Sequence, residues 1–243
     1  MQARNLALHH GEAVTTPTTG VPDGVAHPSR IRTYTPRYRL SSLTKERLVT
    51  LLPDAEVTAL PVDRAAAFGR MAPLVVEIGS GHGAAAIGYA AAHPEHDVLA
   101  AEVHLPGVVR MLAAAQARDV TNLRVWAGDA LALLERGFEP GTLAAIHLLF
   151  PDPWPKPKHA KRRFVQQRNL TMLHTLLAPG GRLLIATDHP VYRAWVRAQL
   201  AQFPGFAVAE VPRPEWKDLD GFEGKALAAG RPSTYFSCVK PRS

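Results

Sequence analysis

The feature that most constrains the fold is a regular alternation of apolar runs and helix-like stretches, which starts near residue 74. The apolar runs are "LVVEIGS", "DVLAAEV", "LRVWAGD", "TLAAIHLLF" and "RLLIATD". The helix-like stretches include "AAAIGYAAAH", "PGVVRMLAAAQARD", "VYRAWVRAQLAQF" and "FVQQRNLTMLHTLLAPGG", the last of which is expected to stop at Pro179-Gly180-Gly181. Alternating strands and helices form right-handed βαβ units. The sequence therefore predicts an α/β, Rossmann-like fold, with helices on both faces of a mostly parallel sheet.

Both ends of the chain depart from this alternation. Residues 1–28 are rich in Thr, Pro, Gly and His and lack apolar periodicity, so we expect a disordered leader. We interpret 29–243 as a single domain that starts with a basic arm, 29–53, where arginines alternate with tyrosines before a short helix. Near the other end, "FAVAEV" and "TYFSCVK" are predicted to pair as an antiparallel edge, joined by a long irregular loop without a helix.

Composition narrows the possible partners. The 243 residues are 47% hydrophobic and carry a formal net charge of +7, with cations concentrated in 30–39 and 156–163. Clustered Lys and Arg favour a polyanionic partner such as a nucleic acid. The single cysteine excludes an internal disulfide, no apolar run is long enough to span a membrane, and "MQARNLALHHGEAVTT" does not resemble a signal peptide. We expect a cytoplasmic protein, a monomer or a homodimer.

A glycine-rich turn follows the first apolar run. "EIGSGHGA" places Gly79, Gly81 and Gly83 where a strand passes into a helix, and it matches the G-x-G-x-x-A pattern of dinucleotide sites. A tight turn without a ligand would also use glycine. Three glycines directly after a buried strand favour ligand binding at the helix N-terminus.

Acidic residues near this turn indicate which ligand is bound. Glu102 follows the second run and suits the two hydroxyls of a ribose, in NAD or in S-adenosylmethionine. Glu77 would repel a pyrophosphate but would attract the ammonium group of a methionine. Asp129 could meet an adenine amino group or could cap the next helix. Together they favour S-adenosylmethionine.

The stretch "LLFPDPWPKPKHAKRRF" places Asp152 and Trp154 at the mouth of the fourth strand and a run of cations after them. Trp154 could stack on a base or could pin the proline-rich loop. The cations are expected to contact nucleic-acid phosphates: Lys156, Lys158, Lys161, Arg162 and Arg163. Histidines 82, 93, 96 and 104 show no zinc motif, so we interpret them as surface or loop residues and expect no metal.

With these motifs in hand, the chain resembles the bacterial tRNA (guanine-N7)-methyltransferase family over residues 30 to 240. The resemblance rests on "VVEIGSGHG", "AAEVHLPGV", "NLRVWAGDA", "LLFPDPWPKPKHAKRR" and "ATDHPVYRAW". It implies a class I methyltransferase fold of seven strands, the last one antiparallel, and methylation of tRNA at guanine 46 by S-adenosylmethionine. It implies cofactor contacts by Glu77, Glu102, Asp129 and Asp152, and substrate contacts by Lys156, Asp188 and the segment from Thr234.

That segment departs from the family pattern Arg-Pro-x-Thr-Lys-Phe-Glu. Tyr235 stands for its lysine and Ser237 for its glutamate, although both positions remain candidates for substrate contact. Asp152 is the candidate catalytic residue, as an orienting and electrostatic group and not as an obligatory base, because guanine N7 already presents a lone pair.

Three alternatives remain open at this point. An amino-group methyltransferase for adenine or cytosine has one more residue between its acid and its aromatic than Asp152 and Trp154 have. An NAD-dependent oxidoreductase is disfavoured by Glu77. A non-catalytic RNA-binding protein would not bind S-adenosylmethionine.

Overall fold

A computed structural model describes residues 40–219 and 221–242. The predicted leader 1–28 and the first part of the basic arm lie outside the described residues. From Leu40 onward the chain leads into a helix whose N-cap, Ser41, accepts a hydrogen bond from the backbone N–H of Thr44.

One sheet of seven strands organises the domain. In sheet order the strands are β3, β2, β1, β4, β5, β7 and β6. Their bounds are Leu74–Ile78 for β1, Asp97–Ala101 for β2, Leu123–Trp126 for β3, Leu143–Leu149 for β4, Leu177–Thr187 for β5, Ala207–Val211 for β6 and Thr234–Val239 for β7. The pairs among β1 to β5 are parallel, and β7 runs antiparallel to both β5 and β6. The predicted α/β fold and its antiparallel C-terminal strand are confirmed.

Helices cover both faces of the sheet. In chain order they are α1 (Ser42–Leu51), α2 (Arg64–Phe68), α3 (Ala84–Ala92), α4 (Leu105–Gln116), α5 (Ala130–Arg136), α6 (Gln167–Leu176), α7 (Pro190–Ala201) and α8 (Gly221–Ala228). Apolar side chains of α3 and α4 form one buried cluster with β1, β2 and β3. Those of α5, α6 and α7 form a larger cluster on the opposite face. Strand β4 contributes to both, which explains why its sequence is apolar without alternation.

Strand order fixes where a ligand can bind. The chain runs from β1 outward through β2 to β3 and then crosses to β4 on the other side of β1. Such a reversal leaves a crevice outside the carboxyl ends of the two diverging strands. The glycine turn after β1 and the Asp152 loop after β4 therefore lie at the same edge of the sheet.

The end of α6 differs from the prediction. The helix ends at Leu176 and β5 begins at the next residue, so Pro179-Gly180-Gly181 lies inside β5 and does not itself stop the helix. The Lys240 ammonium group donates to the carbonyls of His174 and Leu177, at 2.9 and 2.8 Å. A cation from the end of the chain thus caps α6, and local sequence could not reveal that contact.

The connection between the last two strands also differs. It contains α8, whereas the sequence predicted a loop without a helix. Two contacts from outside the helix reach Glu223 on it: the Tyr235 hydroxyl donates to Oε1 at 2.8 Å, and the Lys217 ammonium lies 3.3 Å from Oε2. Because tertiary contacts stabilise so short a helix, its own sequence carries only a weak signal.

Over the part of the chain that the structure describes, no helix combines the length and the hydropathy that crossing a membrane requires.

Candidate functional site

The glycine turn connects β1 to α3 and is anchored to the neighbouring strand. The backbone N–H groups of Gly79 and Ser80 both donate to the carbonyl of Ala101 at the end of β2. Gly79 has φ of +69°, and no atom lies within 4 Å of the point where a Cβ would be. Gly83 has φ of +78°, and a Cβ there would overlap the side chain of Met111 on α4. The two glycines therefore serve different purposes: one leaves space above the turn, and the other lets two helices pack.

Glu102 is held in place by the backbone. Its Oε2 accepts from the N–H of Gly81 at 2.7 Å, and its Oε1 accepts from the N–H of His104 at 2.8 Å. An ionised carboxylate has about four lone-pair positions, so two remain for a ligand. The side chain thus reaches from the end of β2 to the glycine turn and is oriented before any ligand arrives.

Asp129 caps α5, as one of its two predicted roles requires. Its Oδ1 accepts from the N–H of Leu131 at 2.8 Å. The same residue lines a cavity, so its position is compatible with the second predicted role, a contact with an adenine amino group.

A cavity of about 150 Å³ lies between these elements at the carboxyl edge of the sheet. It is lined by Ile78, Gly79, Ala101, Glu102, Val103, Gly128, Asp129, Ala130, Leu131 and Phe164. Three predicted cofactor residues, Gly79, Glu102 and Asp129, are therefore brought together. Phe164 was missed, because the sequence placed it in the following helix, which begins only at Gln167.

Glu77 does not line this cavity. Its side chain is 2% exposed, and its Oε2 lies 3.8 Å from Nδ1 of His147 on β4. Neither of these two atoms has a hydrogen-bond partner among the described residues, and the same holds for the buried hydroxyl of Ser80 in the glycine turn. Buried polar atoms are normally paired, so unpaired ones beside a glycine turn fit a site that receives donors from a ligand. A cofactor contact by Glu77 stays a prediction.

His147 was missed by the sequence reasoning. It is buried on β4, its ring stacks on that of Trp216 at a centroid distance of 5.1 Å, and Tyr89 meets it edge-on at 4.9 Å. The only available signal was a single polar residue within the apolar run "LAAIHLLF".

The loop after β4 carries Asp152 at its exposed tip. Phe150 and Trp154, on either side of Asp152, have positive φ of +52° and +41°. Non-glycine residues in this region are uncommon, and they persist where the surroundings over-determine the backbone. The loop therefore presents the Asp152 carboxylate to solvent from a fixed turn just beyond the sheet edge.

Arg163 is buried beneath that loop and donates hydrogen bonds to it, which corrects its predicted role as a phosphate contact. It is 5% exposed, and its guanidinium donates to the carbonyls of Pro153 and Trp154. It also lies over the ring of Trp195, 4.7 Å from its centroid. A guanidinium used in this way is not available to an RNA phosphate, so Arg163 leaves the set of candidate phosphate contacts and becomes a positioning residue for the loop.

The remaining cations lie on a short 3₁₀ helix, Pro157–Arg162, or at Lys156, the residue directly before it. Lys156, Lys158 and Lys161 are exposed, and the guanidinium of Arg162 lies over the Trp154 ring at 4.8 Å. Desolvation is the largest cause that lowers the pKa of His159, followed by the charges of Arg162, Lys158 and Lys156. The positive charge of this surface at neutral pH therefore comes from Lys and Arg.

Trp154 itself packs within the loop. Arg162 covers its face, and His159 meets it edge-on at 5.6 Å. These contacts favour the pinning role among the two that the sequence left open.

Asp188 lies at the carboxyl end of β5, at the same sheet edge. Its Oδ2 is 3.2 Å from Nε of Arg231, the first residue of "RPSTYFS". The carboxylate is about a quarter exposed, so it remains accessible to a substrate.

The C-terminal segment is less accessible than predicted. Thr234 is half-buried at the start of β7, but Tyr235 is 2% exposed and its hydroxyl donates to Glu223. Burial removes Tyr235 from the candidate substrate contacts. Ser237 is also buried, although it lines a groove of about 620 Å³ on the α3 face of the sheet.

Comparisons with known proteins agree with this geometry. Residues 71–231 match the family model described as "Putative methyltransferase". A tRNA (guanine-N(7)-)-methyltransferase from Thiobacillus denitrificans is 41% identical over 214 residues, which cover 86% of this chain and 94% of that protein. The protein of the same name from Streptomyces coelicolor is 38% identical over 246 residues, covering 94% and 90%.

Among solved structures, the 16S rRNA methyltransferase KamB covers 72% of this chain and 91% of its own, with a TM-score of 0.50 and 15% identity, which supports the fold alone. The family model matches well over half of the chain, and curated relatives align with most of it. This chain therefore belongs to the tRNA (guanine-N(7)-)-methyltransferase family.

Proposed function

We propose that this protein transfers a methyl group from S-adenosylmethionine to N7 of a guanine in tRNA, at position 46 of the variable loop, in the cytoplasm. The main observation behind the proposal is one sheet edge that combines a cavity lined by Gly79, Glu102 and Asp129 with an exposed carboxylate and a cationic loop. Family membership gives the reaction class, since curated relatives carry the name of this activity.

The residues of the cavity suit the cofactor. Glu102 offers its remaining lone pairs to two ribose hydroxyls, while Asp129 and the apolar wall that includes Phe164 accommodate an adenine. Space above Gly79 admits a ligand close to the backbone, and the unpaired Ser80 hydroxyl and Glu77 carboxylate oxygen can receive donors from its methionine part. When bound, S-adenosylmethionine supplies an electrophilic methyl group on a sulfonium.

Asp152 acts on the guanine by position and charge. Guanine N7 has a free lone pair, so no proton has to leave before it attacks. The ring gains positive charge as the new bond forms, and a carboxylate fixed by the Phe150–Trp154 turn stabilises that charge without reorganising. In this role Asp152 does not serve as a base.

The loop cations hold the tRNA. Lys156, Lys158 and Lys161 project from one exposed surface directly after Asp152. Contacts with phosphates on either side of the target would bring one guanine to the carboxylate, and Asp188 can accept hydrogen bonds from the N1 and N2 donors of that guanine. The phosphate contacts fix the position of the tRNA on the protein, whereas the choice of base depends on the carboxylates of Asp152 and Asp188.

The test is methyl transfer with mapping of the modified base. The protein is incubated with labelled S-adenosylmethionine and a tRNA transcript, and the label is located by chemical cleavage at 7-methylguanine. We expect label at guanine 46, and a transcript with adenine at position 46 is the matched control. Transfer to a transcript whose guanines are 7-deazaguanine would exclude N7, and label at another guanine would exclude position 46.

A further inference from the structure

The turn between α3 and β2 brings together three side chains that can bind a metal ion. His93 is the residue after the last turn of α3, and Pro94, Glu95 and His96 lead directly into β2. The sequence indicated only surface histidines without a zinc motif. In the structure, one ligand atom from each of His93, Glu95 and His96 lies within 4.8 Å of the other two.

The spacing of these atoms is close to that of a metal site. Nδ1 of His93 is 3.2 Å from Oε1 of Glu95, and the rings of His93 and His96 lie 5.5 Å apart at an angle of 21°. Ligand atoms around a tetrahedral zinc ion are about 3.4 Å apart, given bonds of about 2.1 Å. The His93–Glu95 separation already has this length, and the other separations, at no more than 4.8 Å, would have to shorten as the side chains close around one ion.

The His96 ring is already oriented. Its Nδ1 shares a hydrogen bond of 2.7 Å with the hydroxyl of Tyr89, which leaves Nε2 for a metal. Metal-binding histidines almost always use their second ring nitrogen in this way, and that partner fixes the orientation of the ring. Tyr89 is itself fixed, because it is buried on α3.

The backbone of the turn is held by two side chains from elsewhere. Arg70 donates to the carbonyls of Pro94 and His96, at 2.8 and 2.9 Å. The Asn122 amide donates to the carbonyls of His93 and His96, at 3.1 and 2.8 Å. Three donors on a backbone fixed from both sides lose less conformational entropy on binding than donors on a free loop.

We propose that His93, Glu95 and His96 bind one divalent transition-metal ion, with Zn²⁺ as the best-matched candidate. Two imidazoles and one carboxylate are an established zinc donor set, and they leave one coordination position for water. The ion would join the end of α3 to the start of β2. The site lies at the amino-terminal edge of the sheet, and six residues separate His96 from Glu102 along β2, or roughly 20 Å at about 3.3 Å per residue. The proposed role of the ion is therefore structural and not catalytic.

Metal stoichiometry tests the proposal. Untagged full-length protein is stripped with a chelator, and Zn²⁺ binding is measured by equilibrium dialysis at micromolar free metal. Because the chain also contains His9 and His10, His9→Ala/His10→Ala is the matched control for His93→Ala/His96→Ala. We expect the control to retain one equivalent that the His93→Ala/His96→Ala variant loses. Equal stoichiometry in the two variants, or no binding by the unaltered protein, would overturn the proposal.

Two further measurements distinguish a specific metal site from adventitious binding of Zn²⁺ to surface histidines. Tyr89→Phe keeps the ring but removes the hydroxyl that orients His96, so we expect Zn²⁺ affinity to fall at least tenfold, with one equivalent still bound at saturation. Cu²⁺ bound in place of Zn²⁺ should show two nitrogen ligands by electron paramagnetic resonance. Unchanged affinity in Tyr89→Phe, or a Cu²⁺ spectrum without nitrogen coupling, would contradict the assignment.

Discussion

At the scale of single residues, Asp152 has the most exposed position among the carboxylates assigned to the site. We expect Asp152→Ala to lower methyl-transfer turnover by about a hundredfold or more, because a fixed charge beside the developing positive ring is lost. Affinity for tRNA should change little, since the lysines proposed to contact phosphates remain.

Asp54→Ala is the matched control, because Asp54 is also exposed but lies in the turn after α1. Single-turnover rates and filter binding measure the two effects separately. Turnover that falls equally in the two variants would remove Asp152 from the mechanism.

Arg163 and Lys161 are two positions apart in the sequence, but Arg163 is buried and Lys161 is exposed. Arg163→Ala removes buried bonds to two loop carbonyls and the contact with Trp195, so we expect a loss of about 2 kcal/mol or more in the free energy of unfolding. Lys161→Ala should leave stability unchanged but reduce the slope of log affinity for tRNA against log salt by about 0.7 to 0.9. Chemical denaturation and salt titration distinguish the two, and a reversed pattern would reject our assignment of both residues.

Individual site residues differ in whether their roles could be predicted from the sequence. Glu102 and Asp129 could be assigned from their places after strands, because parallel strands bring their carboxyl ends to one edge. Arg163 and Tyr235 could not, since "KHAKRRF" and "RPSTYFS" carry no sign that one cation and one phenol turn inward. Burial of a polar side chain depends on partners such as Trp195 and Glu223 that are distant in sequence.

At the scale of elements, substitutions in the glycine turn can distinguish glycines needed for folding from those needed for ligand binding. Gly79→Ala and Gly141→Ala place an alanine at φ near +70° with open space around it, so each should lower stability by about 1 to 2 kcal/mol. Gly83→Ala should lower it further, because its Cβ would also push Met111 and separate α3 from α4. Chemical denaturation measures all three.

Cofactor binding distinguishes the first two variants. The space above Gly79 lies in the candidate site, whereas Gly141 lies in the turn before β4. We expect Gly79→Ala to weaken S-adenosylmethionine binding at least tenfold in calorimetry and Gly141→Ala to leave it unchanged. Equal affinities would show that the space above Gly79 is not used by the cofactor.

The strands and most helices were predictable because their apolar periodicity is strong. Two of the errors occurred where distant side chains decide the outcome: Lys240 at the end of α6, and the Lys217–Glu223–Tyr235 contacts around α8. Neither set of contacts has a local signature, because their members are separated by up to 66 residues along the chain.

At the scale of the whole molecule, the two proposed binding sites lie at opposite edges of one sheet. The carboxyl edge holds the cavity, Asp152, Asp188 and the cationic loop, and the amino edge holds the His93–His96 turn. The residues at the carboxyl edge could be predicted from the sequence, because parallel strands bring their carboxyl ends to the same edge of the sheet. The site on the His93–His96 turn could not, because its donors depend on the rotation of side chains on one turn.

The single cysteine offers a test of whether the domain unfolds as one unit. Cys238 is fully buried in β7, and burial raises the pKa of its thiol to about 12. The reactive thiolate is therefore scarce, and the sulfur is inaccessible until β7 leaves the sheet. We expect thiol-reactive reagents to modify the native protein only through unfolding, at a rate that rises with urea in parallel with the loss of helical circular dichroism.

Bound S-adenosylmethionine should slow this labelling. The proposed cofactor site lies at the ends of β1 and β2, whereas β7 is separated from β1 in the sheet by β4 and β5. A ligand that binds only the folded state stabilises it by RT ln(1 + [L]/Kd), so saturation at about 100 times Kd should slow labelling about a hundredfold. A matched control is free S-adenosylmethionine with denatured protein, where labelling should not change. Rapid labelling in the absence of urea, or labelling insensitive to the cofactor, would show that β6 and β7 open independently of the sheet that carries the cavity.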